Sequence, residues 1–341
     1  MERPTVYDVA QRAGVSIATV SFTYRRPDRV RAETRETVLA AARELGYVPN
    51  GAARGLAQRR TGSLGLYAYH YLLPDASPGE DWRRFPLYVD EVQRGFELEC
   101  WERGYALMLG GGGSVDGGIV TDIAGRVDGL AVFAQTVPSD VLATLSRRIP
   151  VVEISEPQDD DGLLHVSVDN RGGMRALTEH LLTVHGLRRL VFVGEPESHD
   201  VRERFAGFLA ALAAHRARRP KAPESVRADA RVEAEELTSA WVERGLPEAV
   251  VCSTDQQALA VIDALRARGV GVPEQVAVTG FDGILAGLLS QPTLTTVRQP
   301  MGELGRSAVQ MLAARLDDPT GEVADVQLPV ELVVRRSCGC P

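Results

Sequence analysis

The sequence lacks a hydrophobic run long enough to cross a membrane, and it contains only four cysteines. A spanning helix needs about 20 consecutive apolar residues, and no stretch approaches that length. The first residues, Met1-Glu2-Arg3-Pro4, lack the charged and then apolar pattern of a signal peptide. We therefore expect a cytoplasmic protein without a membrane partner, whose thiols stay reduced.

Short repeats and low-complexity tracts are also missing, which argues against a solenoid or a disordered chain. Hydrophobic residues make up 44% of the chain and charged residues 25%, as is ordinary for globular proteins. A length of 341 residues is too great for one small domain and suggests two or three.

Charge is distributed unevenly along the chain. Residues 1–62 contain eleven arginines against six acidic side chains, although the whole protein has a net charge of −8. A basic head on an acidic body suggests that only the head meets a polyanion such as nucleic acid.

Local signals in the head predict three helices. Thr5 and Asp8 have the spacing of a capping box, and the apolar residues that follow recur at helical spacing. Gly14 ends this helix and Ser16 is a natural N-cap for a second one. A third helix is predicted from Arg31 to Leu45, so the head has the pattern of a helix-turn-helix unit.

Five stretches of the head form a pattern that can be compared with known families. They are Thr5-Val-Tyr-Asp-Val-Ala, Ala13-Gly-Val-Ser, Thr19-Val-Ser and Leu45-Gly-Tyr-Val-Pro-Asn50, followed by Ala53-Arg-Gly-Leu56. With these stretches the head resembles that of the LacI (lactose-repressor) family, without gaps over about 60 residues. The resemblance implies a recognition helix in the major groove and a homodimer on a pseudo-palindromic operator in double-stranded DNA.

Family positions that contact DNA carry over residue by residue. Base contacts are implied for Ile17, Ala18 and Phe22, phosphate contacts for Tyr7, Ser16, Thr19, Ser21, Arg25 and Arg29, and linker contacts for Asn50, Ala53 and Leu56. Most members have arginine at position 22 and asparagine at position 25, where this chain has Phe22 and Arg25. Phenylalanine cannot make the bidentate hydrogen bonds by which arginine reads guanine, so we expect apolar reading of thymine methyl groups.

Residues 49–61 are predicted to be a linker that becomes a hinge helix. About nine residues with two glycines fall below the ~12–15 that a stable isolated helix needs, so we expect the helix only on operator DNA. The resemblance implies that Leu56 inserts between bases in the minor groove. A plain flexible tether is the alternative.

The body alternates apolar strands with amphipathic helices, which predicts an α/β fold with doubly wound parallel sheets. It has too many strands for one compact sheet, and it resembles the two-lobed periplasmic-binding-protein-like core of the same family. The predicted domains are therefore a head at 1–48, the linker, a core at 62–337 and an exposed tail at 338–341. The resemblance implies lobe one at 62–158 and 293–322, lobe two at 159–292 and 323–337, and three crossings between them.

Effector ligands are expected beyond the strand ends of the core. Arg204, Asp282 and Gln299 match family ligand positions, and Thr254 stands where the family has asparagine. Residues 69–86 are longer than usual and contain His70, which either shapes the pocket or lies in a surface loop. The family implies a small-molecule effector, a sugar or sugar phosphate, with a nucleobase as the alternative; a structural ion pair between Arg204 and Asp282 also stays open.

Other chemistry is weakly indicated. The segment Leu109-Gly-Gly-Gly-Gly-Ser114 lacks the ending of a phosphate-binding loop. Cys338-Gly-Cys340 supplies two thiols without further ligands, and the six histidines show no metal spacing, so we expect no metal and no cofactor. The sequence indicates a ligand-responsive DNA-binding regulator, most often a repressor in this family and not an enzyme. The alternative is a sugar-binding or hydrolytic α/β protein with an incidental basic head.

Overall fold

A computed structural model describes residues 4–48, 60–68, 87–110, 118–155, 162–195, 198–225 and 230–341. The chain separates into two compact units, residues 1–61 and residues 62–341.

The head contains the three predicted helices, α1 (Val6–Ala13), α2 (Ile17–Arg25) and α3 (Ala32–Leu45). The Asp8 carboxylate accepts hydrogen bonds from the backbone N–H and the hydroxyl of Thr5, both at 2.7 Å. Gly14 has a φ of +67° and reverses the chain, and Ser16 Oγ accepts from the Thr19 N–H at 3.1 Å. The caps predicted from the sequence are thus confirmed.

One apolar side of each helix forms the core of the head. Val9, Val20 and Val38, one from each helix, are fully buried, and the core is completed by Ala10, Ala41 and Ala42. Tyr24 packs on the edge of this core, with its ring centroid 6.3 Å from that of Tyr47. The three helices predicted from the sequence are thus present and pack on one another.

The second unit contains two sheets. The first sheet consists of β1 (Ser63–Tyr67), β2 (Ala106–Gly110), β3 (Gly129–Phe133), β4 (Val151–Ile154), β5 (Leu164–Val168) and β10 (Val326–Leu328). Its strands lie in the order β10-β5-β4-β3-β1-β2 and are parallel throughout.

The second sheet consists of β6 (Leu190–Val193), β7 (Ala249–Cys252), β8 (Ala277–Asp282), β9 (Thr295–Arg298) and β11 (Glu331–Val333). The strands lie in the order β11-β9-β8-β7-β6, and only the edge strand β11 is antiparallel to its neighbour.

Helices cover the faces of these sheets. They are α4 (Leu87–Arg103), α5 (Gly118–Ala124), α6 (Ser139–Ser146), α7 (Asn170–Thr183), α8 (His199–Ala214), α9 (Ala230–Arg244), α10 (Asp255–Ala267), α11 (Leu285–Leu289) and α12 (Met301–Asp317). Helices α4 and α12 pack closely because glycines face each other: a Cβ on Gly95 would overlap the backbone of Gly302. The predicted α/β architecture with two parallel sheets is confirmed.

The two sheets divide the chain differently from the predicted lobes. Strands β5 and β10 belong to the first sheet, whereas β9 belongs to the second. The chain therefore crosses near residues 169, 300 and 329 rather than at 158, 292 and 322. The three crossings expected from the resemblance are present, but strand–helix alternation does not encode which sheet a strand joins, so their positions were displaced.

The expectation of an exposed tail at 338–341 is wrong. A short 3₁₀ turn, Arg336–Cys338, packs against the second sheet, and Cys338 is only 3% exposed. Ser337 holds this turn in place, since its Oγ donates to the Val278 carbonyl at 2.5 Å and accepts from the Thr295 N–H at 2.9 Å.

Candidate DNA-binding and effector sites

The second helix of the head presents an apolar surface to solvent. Ile17 is 41% exposed and Phe22 is 44% exposed, and Ala18 lies exposed beside them. All three side chains lie outside the core of the head, whereas Val20 of the same helix is buried in it. Phe22 does not enter the core, and it is available for a contact outside the head.

Polar residues flank this apolar surface. Ser16, Tyr7 and Arg29 are exposed, while Thr19 and Ser21 are half-buried. The hydroxyls of Ser16 and Thr19 lie 2.9 Å apart at the start of α2. Exposed hydroxyls at a helix N-terminus and an exposed arginine such as Arg29 are groups that bind the phosphates of the DNA backbone.

Some predicted site residues lie outside the described part of the structure. They are Asn50, Ala53 and Leu56 of the linker, His70 of the long segment after β1, and the side chain of Arg25.

A buried polar cluster lies at the carboxyl ends of the strands of the second sheet. Arg204 is 3% exposed on α8, Asp282 is 6% exposed at the end of β8, and Gln299 is 3% exposed just after β9. Three of the four described effector candidates therefore meet at one place. Ends of parallel strands are where open α/β sheets bind ligands.

The Arg204 guanidinium is the centre of this cluster. Its Nε donates to Asn170 Oδ1 at 2.7 Å and its Nη1 donates to the Ser253 carbonyl at 2.7 Å. Nη1 also lies 3.5 Å from Asp282 Oδ1, and the guanidinium carbon lies 3.9 Å from the centre of the Phe281 ring. These contacts fix the arginine in one orientation, as a binding site requires.

Thr254, the fourth described candidate, has a local structural role. Its hydroxyl accepts from the Gln257 N–H at 3.2 Å and so caps α10. Its neighbour Ser253 supplies the carbonyl that accepts from Arg204.

Sequence reasoning missed three polar residues of this cluster, Asn170, Asp200 and Asp255. Asn170 donates from Nδ2 to Asp200 Oδ1 at 2.8 Å, so both belong to the same hydrogen-bond network as Arg204. Asp255 is fully buried and accepts from the N–H groups of Gly283 and Ile284 at 2.8 and 2.9 Å. The available signal was that Asp255 follows the buried strand β7, which ends at Cys252, after only two intervening residues.

Burial changes the acidity of the two innermost carboxyl groups. Desolvation raises the pKa of Asp255, and the negative charge of Asp282 raises it further. Desolvation also raises the pKa of Asp282, although the Arg204 guanidinium opposes that rise. Both carboxyl groups are therefore protonated more readily than an exposed aspartate.

Among the described residues, no helix combines the length and apolar character needed to cross a bilayer. Two family models match the chain. Residues 5–50 match "Bacterial regulatory proteins, lacI family", and residues 178–338 match "Periplasmic binding protein-like domain". The first covers the helix-turn-helix head and the second covers most of the second sheet and its helices.

Curated relatives match the chain along almost its full length. An HTH-type transcriptional regulator of Mycobacterium tuberculosis is 33% identical, with 99% of this chain and 98% of that protein covered. The HTH-type transcriptional repressor PurR of Klebsiella pneumoniae (strain 342) is 31% identical, with coverages of 98% and 96%.

Solved structures agree with these relatives. The Lac repressor dimer bound to operator and the anti-inducer ONPF has a TM-score of 0.79 and 25% identity, with 99% of each chain covered. The complex of the transcriptional regulator CelR with cellobiose has a TM-score of 0.68 and 28% identity, with coverages of 98% and 100%. The chain belongs to the lacI family of bacterial regulatory proteins and is a DNA-binding transcriptional regulator.

Proposed function

We propose that the protein is a repressor that binds a pseudo-palindromic operator as a homodimer and responds to a neutral polyhydroxylated effector, a sugar, in the buried polar cluster around Arg204. The observation that carries the effector proposal is the buried side chain of Gln299. Its Nε2 donates to Asp282 Oδ1 at 2.6 Å, whereas its Oε1 has no hydrogen-bond partner among the described residues. A buried acceptor without a donor costs about 1–3 kcal/mol, and a ligand hydroxyl would remove that cost.

The charges of the cluster select the kind of effector. One cation, Arg204, lies 3.5 Å from a carboxylate oxygen of Asp282 and 3.9 Å from one of Asp200, so these two side chains carry more negative charge when ionised than the arginine balances. A phosphate group would add to this charge, but sugar hydroxyls donate to carboxylates without adding any. We therefore favour a neutral sugar over the sugar phosphate that the family also allows.

The relatives support this choice of chemistry. The solved CelR structure contains cellobiose, which is a neutral sugar, and the Lac repressor structure contains operator DNA. Both proteins match nearly the whole of this chain, so the same two partners are proposed here.

The exposed side chains of α2 support apolar reading of the operator. Ile17, Ala18 and Phe22 offer methyl groups and a ring to the thymine C5-methyl, while Arg29 adds a phosphate contact that is independent of base sequence. Half-sites rich in A·T pairs at these positions are therefore expected.

Exposed apolar side chains on the core support the homodimer. Leu285, Leu288 and Leu289 are 63%, 50% and 74% exposed on one side of α11. Large apolar side chains grouped on a surface mark interaction sites, and a second copy of this chain supplies a matching surface.

A thermal-shift screen tests the effector proposal, because a ligand that binds only the folded state raises the melting temperature. Neutral mono- and disaccharides are compared with their phosphorylated forms on the full-length protein. We expect a neutral sugar to raise the melting temperature of the protein. A rise with phosphorylated sugars alone would contradict the proposal.

Calorimetry with the sugar found in that screen then locates the site. Arg204→Ala and Asp282→Ala each remove charge-assisted hydrogen bonds of about 1.5–3 kcal/mol, which corresponds to at least about tenfold in affinity. Arg202→Ala, an exposed position on the same helix, is the matched control. Unchanged affinity in both cluster variants would move the effector site elsewhere.

A further inference from the structure

Four metal-ligating side chains converge at the C-terminal end of the chain, away from the cluster around Arg204. Two of them, Cys338 and Cys340, lie on the turn that Ser337 fastens to the second sheet. The other two, His180 and His185, lie in the last turn of α7 and just beyond its end. Among the described residues, this is the group of histidine, cysteine and acidic side chains whose geometry could hold a metal ion.

The two histidines face each other because the chain turns back after α7. Gly186, with a φ of +67°, allows this turn next to His185. The imidazole rings are nearly perpendicular, with centroids 5.0 Å apart, and their Nε2 atoms are 3.2 Å apart.

Both thiols approach these two nitrogen atoms. Cys338 Sγ lies 3.6 Å from His180 Nε2, and Cys340 Sγ lies 3.7 Å from the same nitrogen. Cys340 Sγ is also 3.4 Å from His185 Nε2, and all four ligand atoms lie within 4.8 Å of one another. The four ligand atoms are therefore close enough together to surround one metal ion.

The distances match the edges of a tetrahedral zinc site. Zinc–sulfur bonds of about 2.3 Å and zinc–nitrogen bonds of about 2.0–2.1 Å give S···N edges of roughly 3.6 Å and an N···N edge of roughly 3.3 Å. We propose that His180, His185, Cys338 and Cys340 bind one divalent metal ion in tetrahedral geometry, and that this ion is Zn²⁺. Two sulfur and two nitrogen ligands form the donor set that selects zinc over the oxygen-preferring cations.

The surroundings suit such an ion. Binding displaces the protons of the two thiols, and the two thiolates balance the charge of the cation. The Thr295 hydroxyl lies 2.9 Å from the Arg335 carbonyl and 3.1 Å from Cys338 Sγ, and it would donate to the sulfur once metal binding makes that a thiolate. A surface pocket lined by His185, Cys338, Glu248 and Glu274 opens beside the ligands and gives an ion a path to them.

The ion would cross-link two parts of the second unit that are distant in sequence. It would join the end of α7 to the last residues of the chain, which are separated from it by 153 to 160 positions in sequence. Helix α7 also starts at Asn170, a member of the Arg204 cluster. The cross-link would therefore stabilise the helix that carries part of the proposed effector site. The proposal does not depend on the identity of the effector or of the operator.

Metal titration of the reduced full-length protein tests the proposal. After dialysis against a chelator, Zn²⁺ is added in competition with a chelating dye, and Co²⁺ is added as a spectroscopic probe of tetrahedral thiolate coordination. We expect one ion per chain and the visible absorption of tetrahedral Co²⁺. Cys340→Ser and His185→Gln should each lower the zinc affinity by about tenfold or more. His215→Gln, an exposed histidine outside the cluster, should not change it.

Two further readouts separate metal binding from a loss of folding. The chelator should lower the melting temperature of the wild-type protein but not that of Cys340→Ser, and Zn²⁺ should slow the alkylation of Cys340, which is the one of the four thiols that is not buried. The proposal would be overturned if Cys340→Ser and His185→Gln both still bound zinc, or if the Co²⁺ spectrum were absent. It would also be overturned if the chelator left the wild-type melting temperature unchanged. So would a disulfide between Cys338 and Cys340 in protein prepared under reducing conditions.

Discussion

The side-chain amide N–H of Gln299 donates to Asp282 Oδ1, with an N···O distance of 2.6 Å. This hydrogen bond fixes the position of the amide oxygen, Oε1, which has no hydrogen-bond partner among the described residues. Asp282 has a φ of +125°, a backbone conformation that side-chain-bearing residues rarely adopt. The cluster thus combines a strained backbone, a fixed donor and an acceptor that a ligand would satisfy, as is common at binding sites.

Gln299→Leu should weaken effector binding without unfolding the core. Leucine has a similar volume, but it removes both the donor to Asp282 and the unpartnered acceptor. We expect a loss of about tenfold in sugar affinity, measured by calorimetry, because one or two buried hydrogen bonds to the ligand network disappear. Operator affinity measured without effector should stay at the wild-type value. An unchanged sugar affinity would show that Gln299 does not face the ligand.

Phe22→Arg should change which half-site the protein prefers. Arginine on the exposed face of α2 can donate two hydrogen bonds to guanine, so binding sites selected from random DNA should shift toward guanine at one position. Arg29→Ala is the contrasting variant, because loss of a phosphate contact weakens all sites similarly. If Phe22→Arg selects the wild-type half-site, the apolar reading of the operator is wrong.

Asp255→Asn should flatten the pH dependence of stability. Burial and the charge of Asp282 raise the pKa of Asp255 in the folded protein to about 8, against about 3.9 in the unfolded chain. The folded state therefore binds a proton that the unfolded state has lost, and stability falls as the pH rises between these two values. The wild-type melting temperature should drop between about pH 6 and about pH 8 more steeply than that of the variant.

The control for this measurement is Asp263→Asn, which removes an exposed carboxylate from the same helix α10. Its melting curve against pH should follow that of the wild type. Parallel curves for the wild type and Asp255→Asn would mean that Asp255 is ionised in the folded protein.

Leu289→Arg should weaken the homodimer. Leu289 is the most exposed leucine of α11, and a charge in an apolar interface is costly because it loses water without gaining a partner. Sedimentation velocity should show a rise of about tenfold or more in the dissociation constant. Val242→Arg places the same charge at a half-exposed apolar position of α9 and should leave the dimer intact. Equal behaviour of the two variants would remove α11 from the interface.

Local signals explain which parts of the fold the sequence predicted. The caps at Thr5, Gly14 and Ser16 depend on neighbouring residues only, and β1 to β8 are short apolar runs, so both were predictable. Strand β9 is not such an apolar run, since Thr295 and Thr296 are polar although fully buried and Arg298 is charged. Their burial depends on partners elsewhere in the chain, including Ser337 and Asp255.

The candidate sites show the same distinction. Arg204, Asp282 and Gln299 were found because a family resemblance marks their positions. The pairing of Cys338 with His180 could not be predicted, since 158 positions separate them and neither has a local metal-binding pattern.

Selection of genomic fragments by the full-length protein, with and without the sugar found by thermal shift, tests the central claim most directly. We predict that fragments with a pseudo-palindromic sequence are enriched over random duplex DNA at physiological salt. The sugar should change this enrichment for the wild-type protein but not for Arg204→Ala. Recovery of no preferred fragment even at low salt, or an enrichment that responds to the sugar equally in both proteins, would contradict it.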